Sequence, residues 1–128
     1  MKNGANPNAA DAEGYTPLLR SVQVGMDPIF NLLLAKKAKL NVRTKAGYGP
    51  MHLGVLYPDF LRIIKQAGAS IDDRNPITGE TPIIFAARIR AITGMEWLSL
   101  NGANLKLKDK AGKTAGDYAS EYRPRRSK

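Results

Sequence analysis

The sequence predicts an all-α repeat protein, built from similar units that each supply two short helices and a polar turn. The first observation is a period: Gly14, Gly47, Gly79 and Gly112 open four similar segments at intervals of 33, 32 and 33 residues. The second is a helix-start signal after these glycines, and the third is a set of apolar residues at helical spacing behind it. Signals that share one period indicate a repeat architecture, in which neighbouring units bury each other's apolar faces.

Each unit is predicted to begin with a short helix, which a Thr-Pro pair opens in two of them. The hydroxyls of Thr16 and Thr81 can accept a free backbone N–H at the helix start, and the following proline lacks only an N–H that would be unpaired there. Thr114 supplies the same cap in the fourth unit, whereas Gly49 is a weaker cap before Pro50. The first helices are therefore predicted at 17–24, 50–57, 82–90 and 114–122.

A second helix is predicted in the first three units, where apolar side chains recur at helical spacing. Gly-Ala pairs at 4–5, 68–69 and 102–103 suit the left-handed stop of such a helix, because glycine has no Cβ to clash there. The polar stretch from each stop to the next glycine is predicted to project as a turn. The apolar positions are Ile29, Phe30, Leu32 and Leu33; Phe60, Leu61, Ile63 and Ile64; and Met95, Trp97 and Leu98.

Two changes of length interrupt the period. The second unit is two residues shorter at its inter-helix connection, near Tyr57 and Pro58, and the turn 72–78 carries one extra residue. Loops of a rigid scaffold are often the places that are adapted to a ligand. Neutral drift of loop length is the alternative, and the sequence leaves both interpretations open.

Composition narrows the classes of function. The 128 residues carry 20 Lys and Arg against 11 Asp and Glu, a formal net charge of +9, with one His and no Cys. Without cysteine there is no disulfide, thiolate nucleophile or zinc finger, and a single histidine excludes a site built from several. Residues 104–128 hold eight basic and three acidic side chains, a net +5 in the last fifth of the chain. This balance permits an acidic protein, nucleic acid or an anionic membrane surface as partner.

The repeated segments resemble the ankyrin-repeat family, whose units read roughly D-x-x-G-x-T-P-L-H-x-A-A, followed by a second helix and G-A-x-x-N. The resemblance covers residues 3 to about 120. It implies an all-α ankyrin-repeat solenoid over 1–122, with stacked antiparallel helix pairs and projecting turns. Units are expected near 14–46, 47–78 and 79–111, with a half unit at 112–122 and a basic tail at 123–128. The matching residues are Asp11, Gly14, Thr16, Pro17 and Leu18; Gly47, Pro50, Met51 and His52; Gly79, Thr81, Pro82, Ile83, Ala86 and Ala87; and Asp109, Gly112, Thr114 and Ala119.

The two ends of the chain are expected to differ. Aligning residues 1–6 with 99–104 places Met1 in the last turn of an earlier second helix. Because a terminal unit needs a polar cap, we expect the natural polypeptide to be longer at its N-terminus. Residues 1–11 hold no apolar signal core and the longest apolar run, 29–35, is too short to span a membrane. We expect a soluble protein and leave its compartment open. It is cytoplasmic or, if a signal segment precedes this chain, periplasmic or secreted.

No residue pattern indicates catalysis. His52 is the only candidate general base, and it falls on the histidine of the family's T-P-L-H motif, which implies a structural hydrogen bond between neighbouring turns. Asp72 and Asp73 are adjacent, and neighbours on an extended segment point to opposite sides, so joint acid–base chemistry is not expected. The sequence also has no glycine-rich phosphate loop. We therefore predict that the chain is not an enzyme and binds no cofactor or metal.

Tyr15 and Tyr48 share one phase of the repeat, directly after the glycine and before the helix cap. The resemblance implies that this phase lies on the concave face beside the projecting turn, where tyrosine gives a large contact area at low entropic cost. Glu80 and Lys113 occupy the same phase in the other two units. The predicted partner-binding residues are Glu13, Tyr15, Gln23, Lys45, Tyr48, Tyr57, Ile77, Glu80, Arg88, Lys110 and Lys113.

The main functional hypothesis is a non-enzymatic module that binds a protein partner through this concave face. A narrower form makes it a stoichiometric inhibitor or immunity protein of a partner enzyme or toxin. Basic residues at 36–45 lie near the concave set and favour a partner with an acidic surface. The alternative is a binder of nucleic acid or of an anionic membrane surface, acting through the basic C-terminal region. The sequence has no nucleic-acid recognition motif, which makes nucleic acid the weaker candidate.

Overall fold

The computed structural model describes residues 8–121, and its regular structure is helical throughout. Over this range there are seven α-helices, one short 3₁₀ segment and no β-strand. The prediction of an all-α fold is thus confirmed. The helices are α1 Pro17–Val24, α2 Asp27–Ala35, α3 Pro50–Leu53, α4 Pro58–Gln66, α5 Pro82–Ile89, α6 Ile92–Leu100 and α7 Ala115–Glu121, and the 3₁₀ segment is Gly54–Leu56.

The first helices begin close to the predicted residues, because local capping decides those positions. The side-chain hydroxyls of Thr16 and Thr81 accept hydrogen bonds from backbone amides three residues further on, at 3.3 and 3.4 Å. A proline follows each of them in the first turn. At α7 the caps are reciprocal: the Asp117 amide donates to Thr114 Oγ1 at 3.1 Å, and the Thr114 amide donates to Asp117 Oδ2 at 2.9 Å.

The second unit departs from the predicted single helix over 50–57. Helix α3 stops at Leu53, the chain continues as the 3₁₀ segment, and Tyr57 alone links it to α4. A 3₁₀ helix rises about 2.0 Å per residue against about 1.5 Å in an α-helix, so it covers the same distance with fewer residues. Residues 50–56 hold seven helical residues against eight in α1 and α5, and the connection holds one residue against two, which together account for the two-residue deletion. The first and third units instead connect their helices through left-handed residues, Gly25 with φ 74° and Arg90 with φ 63°.

One apolar core runs through the units. Helices α1, α3, α5 and α7 contact each other in chain order, and the first three of them also contact the second helix of their own unit. The corresponding second-helix side chains Leu33, Ile64 and Leu98 are all buried. The rings of Phe30 and Phe60 meet across the first two units with centroids 4.6 Å apart. Because each helix pair covers its neighbour's apolar surface, stability depends on contacts between units.

The polar turns are each closed by one residue at an equivalent position. Its backbone N–H donates across the turn to a carbonyl oxygen at 2.8–2.9 Å. The acceptor lies four residues later in three of the turns and five residues later in the turn with the extra residue. The side chain of the same residue accepts backbone amides within the turn. These closing residues are Asp11, Thr44, Asn75 and Asp109.

Asn75 explains how the third turn absorbs its extra residue. In the other two pairs of adjacent turns a backbone amide crosses the gap, from Lys45 at 2.8 Å and from Lys110 at 2.9 Å. Between the second and third turns the Asn75 side-chain amide takes this place and donates to the Ala46 carbonyl at 3.0 Å. Asn75 Oδ1 meanwhile accepts two amides of its own turn, at 2.7 and 3.2 Å. A Cβ on Gly47 would lie 2.1 Å from this oxygen, so the arrangement requires glycine there.

Two sets of predictions concern parts of the chain that the structure leaves undescribed. The expected tail of an earlier unit, including the Gly-Ala pair at 4–5, falls in residues 1–7, and the basic tail 123–128 falls in 122–128. The unit boundaries near 14–46, 47–78, 79–111 and 112–122 stay predictions. No helix between residues 8 and 121 is long and apolar enough to cross a membrane.

Candidate functional site

A groove of about 340 Å³ lies beside the first helices of three units and the turns that precede two of them. Its walls are mostly apolar and aromatic, with a few polar groups, which is the usual composition of a binding site. Four of the predicted partner-binding residues meet here, from two turns and from α1. The lining residues are Glu13, Tyr15, Gln23, Thr44, Ala46, Tyr48, Leu53, Val55, Leu56, Phe85 and Ile89.

Tyr15 is held in a fixed orientation in the groove wall. Gln23 Nε2 donates to the Tyr15 hydroxyl at 3.2 Å, and the Arg20 guanidinium carbon lies 4.0 Å from the centre of the ring. Arg20 also pairs with Asp11 at 2.9 Å. The hydrogen bond from Arg20, followed by that from the Tyr15 amide, holds the pKa of Asp11 below its usual value. The ring therefore loses little freedom when a ligand contacts it.

Tyr48, Glu80 and Arg88 form a polar network across the second and third units. The Tyr48 hydroxyl donates to Glu80 Oε1 at 2.6 Å, Arg88 Nε pairs with the other carboxylate oxygen, and Arg88 Nη2 donates to the Tyr48 hydroxyl at 2.9 Å. The Tyr48 ring packs on Phe85, with centroids 4.5 Å apart. Glu80 is only 3% exposed. Its carboxylate thus binds groups within the chain, where the sequence analysis expected it to face a partner.

Electrostatics keep this network in one state at neutral pH. Burial alone would raise the pKa of Glu80, but hydrogen bonds from Arg88 and Tyr48 outweigh burial and hold that pKa below its usual value. Burial and the hydrogen bond to Glu80 raise the pKa of Tyr48. The carboxylate is therefore charged and the phenol protonated. Arg88 keeps 41% of its side chain exposed and presents a positioned guanidinium beside the groove.

His52 is buried and links two units, as the resemblance implied. Its Nδ1 accepts from the Gly49 amide at 3.3 Å, so Nε2 carries the proton that is donated to the Glu80 carbonyl at 2.8 Å. Desolvation lowers the pKa of His52, although the bonded carbonyl favours the charged form. With 0% of its surface exposed, the ring is out of reach of a substrate. Within residues 8–121 there is also no group of three His, Asp or Glu side chains that could hold a metal ion.

The other predicted residues lie around the groove or apart from it. Lys45, Ile77 and Lys110 are exposed on the projecting turns. Lys113 forms an ion pair at 2.6 Å with the last residue of α7. Tyr57 lies outside the groove, at the connection between the two helices of its unit. The predicted set is therefore split between a groove, its charged surroundings and a separate edge.

Phe85 is the main groove residue that the sequence analysis missed. It lies four residues before Ile89 on α5, and residues at this spacing share one face of a helix. Helical spacing could have identified it, since Arg88, which lies three residues after Phe85 on α5, belongs to the predicted partner-binding set. Leu53, the last residue of α3, and Val55 also line the groove. The position of Val55 depends on the 3₁₀ geometry of the second unit, for which the sequence gives no periodic signal.

The known proteins to which this chain is similar include one that is named for its ankyrin repeats. No protein-family model matches the chain. It is 26% identical over 124 residues to a Danio rerio protein provisionally named palmitoyltransferase ZDHHC13, covering 94% of this chain and 19% of that protein. It is 28% identical over 127 residues to the human transient receptor potential cation channel subfamily A member 1, covering 93% of this chain and 11% of the channel.

A third relative carries the repeat class in its name. The chain is 33% identical over 51 residues to the ankyrin repeat-containing protein P1E11.10 of Schizosaccharomyces pombe, covering 40% of this chain and 25% of that protein. At modest identity, the channel and the ankyrin repeat-containing protein indicate ankyrin-like repeats, which suggest a protein-interaction module. The chain spans a quarter or less of the length of each of the three relatives.

Proposed function

We propose that this chain is an ankyrin-type repeat solenoid that binds a protein partner without catalysing a reaction. The groove is the observation that carries the proposal. Tyr15 and Tyr48 come from neighbouring turns and line a mostly apolar channel of about 340 Å³, and both hydroxyls are hydrogen-bonded in place. Rigid aromatic side chains in a concave site give a large contact area with a small ordering cost. Similarity to a named ankyrin repeat-containing protein supports the repeat class.

The partner is proposed to present an acidic surface. Lys45 and Lys110 are exposed on the turns. The charges of Glu80 and Arg88 balance each other, and Glu13 is the carboxylate that lines the groove. Complementary charge mainly increases the rate of association and the specificity of a complex. We therefore expect binding to the basic turns to be faster at low salt.

A non-enzymatic role is supported by the burial and the hydrogen bonds of His52. Both ring nitrogens are engaged within the chain, and the side chain is buried. A general base has to lie within hydrogen-bond reach of the proton that it removes. His52 instead serves the contact between two units.

In the narrower form of the proposal, the partner is an enzyme or toxin that the chain inhibits at an equimolar ratio. The combination of an aromatic groove with exposed basic turns suits a partner that presents an acidic, convex surface. Titration of the partner's activity distinguishes this form from simple scaffolding. Inhibition that is complete at equimolar concentration supports it, and a bound partner with undiminished activity contradicts it.

The proposal is tested by affinity capture from the native source, followed by calorimetry with the recovered protein. Tyr15→Ala is expected to weaken binding about tenfold or more, the effect of losing one central aromatic contact. The control is Leu100→Ser, because Leu100 is 86% exposed and lies outside the groove. A recovered protein that binds Tyr15→Ala and wild type equally would contradict the groove as its site. Recovery of nucleic acid alone would favour the alternative function.

A further inference from the structure

A stripe of exposed apolar side chains follows the edge where the two helices of each unit are joined. Its six members come from all three connections, and each keeps 38–56% of its surface exposed. Contiguous exposed apolar patches above about a few hundred Å² mark interaction sites on soluble proteins. We call this set the edge stripe: Val24, Met26, Leu56, Tyr57, Ile89 and Ile92.

The three connections touch each other, so the edge stripe is one surface. The Tyr57 ring lies against Gly25, where an added Cβ would be 2.7 Å from Tyr57 Cε1. Gly94 lies against the carbonyl of Val55 in the same way. A pocket of about 350 Å³ opens at this edge and draws its lining from all three units, with Asp27 from the first and Thr93 from the third.

Two carboxylates place negative charge at the first and second connections. Asp27 and Asp59 are exposed, line the pocket and lie in the first turns of α2 and α4. The whole chain has a formal net charge of +9. The exposed lysines of the projecting turns lie at the other end of the first helices, away from the connections. The third connection carries one cation, Arg90, at the end of α5.

We propose that the edge stripe docks an amphipathic helix of a protein partner, with its apolar face on the stripe and lysine or arginine side chains toward Asp27 and Asp59. Packed neighbouring helices lie about 8–10 Å apart, and seven residues of a helix, close to two turns, rise about 10.5 Å. Apolar side chains at i, i+7 and i+14 of the docked helix therefore meet the three connections in turn. The stripe shares only Leu56 and Ile89 with the groove, so it adds a second contact surface to the proposed function.

A basic helix suits this edge better than a lipid surface or a second copy does. Anionic lipid would repel Asp27 and Asp59, and inserting the apolar side chains into a bilayer would also bring both carboxylates toward it. A two-fold contact between copies would bring the carboxylates of both chains together at the same patch. A partner helix with lysine or arginine at these positions pairs the charges and covers the apolar side chains.

The test uses a dye-labelled synthetic helix of about 18 residues, long enough to span three connections. It carries leucine at i, i+7 and i+14 and lysine on the flanking positions, and a scrambled peptide of the same composition serves as its control. Fluorescence anisotropy should show saturable binding of the patterned peptide by the full chain. The double variant Met26→Ser, Ile92→Ser should bind it at least about tenfold more weakly, because two half-exposed apolar contacts are lost. Asp27→Asn with Asp59→Asn should weaken binding and reduce its dependence on salt.

Matched controls separate this inference from the groove. Leu32→Ser with Leu100→Ser removes two exposed apolar side chains that lie off the stripe, and this variant should bind the peptide like wild type. Tyr15→Ala, which tests the groove, should also bind it like wild type. Equal binding of both peptides, or full affinity of Met26→Ser, Ile92→Ser, would overturn the proposal. So would dimerisation in sedimentation that Ile92→Ser abolishes, or an Ile92-dependent affinity for phosphatidylcholine–phosphatidylglycerol vesicles that exceeds the peptide affinity.

Discussion

Replacing Asn75 with alanine tests whether one buried side chain compensates for the extra residue of the third turn. The side chain makes three hydrogen bonds, one to the Ala46 carbonyl and two from amides of its own turn. None of its surface is exposed. Each such bond contributes about 1 kcal/mol net, and a buried partner that stays unpaired costs somewhat more. We expect Asn75→Ala to lower the free energy of unfolding by about 3 kcal/mol, a large part of the roughly 5–15 kcal/mol of a typical domain.

Urea unfolding, followed both by the fluorescence of Trp97 and by far-ultraviolet circular dichroism, measures this loss. Coincidence of the two probes checks that unfolding is two-state. Asn104→Ala is the matched control, because it removes one hydrogen bond, at 2.9 Å, from an exposed turn. It should cost less than about 1 kcal/mol. Equal losses for the two variants would refute the assignment of a compensating role to Asn75.

Four further predictions follow from a helix cap, two buried titratable groups and surface charge. Thr81→Ala removes the cap of α5 and should lower the free energy of unfolding by about 1 kcal/mol in the same titration; an unchanged value would contradict the capping role. The pKa of His52 is lowered in the folded state, so the unfolded chain binds the proton at a higher pH than the folded chain does. The free energy of unfolding should therefore decline as the pH falls below the ordinary value of 6.5, and His52→Gln should lack this dependence. The pKa of Glu80 is also lowered, so its ionised carboxylate should add to the free energy of unfolding in full above the ordinary value of 4.5. This stabilisation should be lost as the pH falls through the folded pKa, and Glu80→Gln should remove the pH dependence. Lys45→Ala should slow association with an acidic partner more than it speeds dissociation, as surface plasmon resonance can measure; an effect on dissociation alone would argue against steering by the turns.

The starts of the first helices were predictable because they depend on a few adjacent residues. Thr16 and Thr81 cap amides three residues away, and the prolines that follow have the backbone angle that a first helical turn requires. The apolar spacing behind them identified Leu33, Ile64 and Leu98, all of which are buried. The caps depend only on the adjacent residues of the chain, and the burial of these apolar side chains requires only a neighbouring unit with the same pattern.

Features that depend on contacts between units were not predictable. Glu80 shares its phase with Tyr15 and Tyr48, so the repeat placed it on a contact face. Its carboxylate is instead engaged by Arg88, in the last turn of α5, and by a tyrosine of the preceding unit. Similarly, the deletion before Pro58 was visible in the sequence, but the 3₁₀ segment and the one-residue connection that accommodate it were not. Residue spacing records the period and contains little information about such adjustments.

The network of Tyr48, Glu80 and Arg88 makes occupancy of the groove detectable far from the ligand. The two halves of this network belong to different units, so they separate whenever those units open. A ligand that holds Tyr48 in the groove opposes that opening, by an amount that grows with the ratio of its concentration to its dissociation constant. Since α5 in turn packs on α7, amide protons of both helices should exchange more slowly with deuterated solvent in the complex. Slower exchange in α7, which does not line the groove, would then reveal that a ligand is bound there.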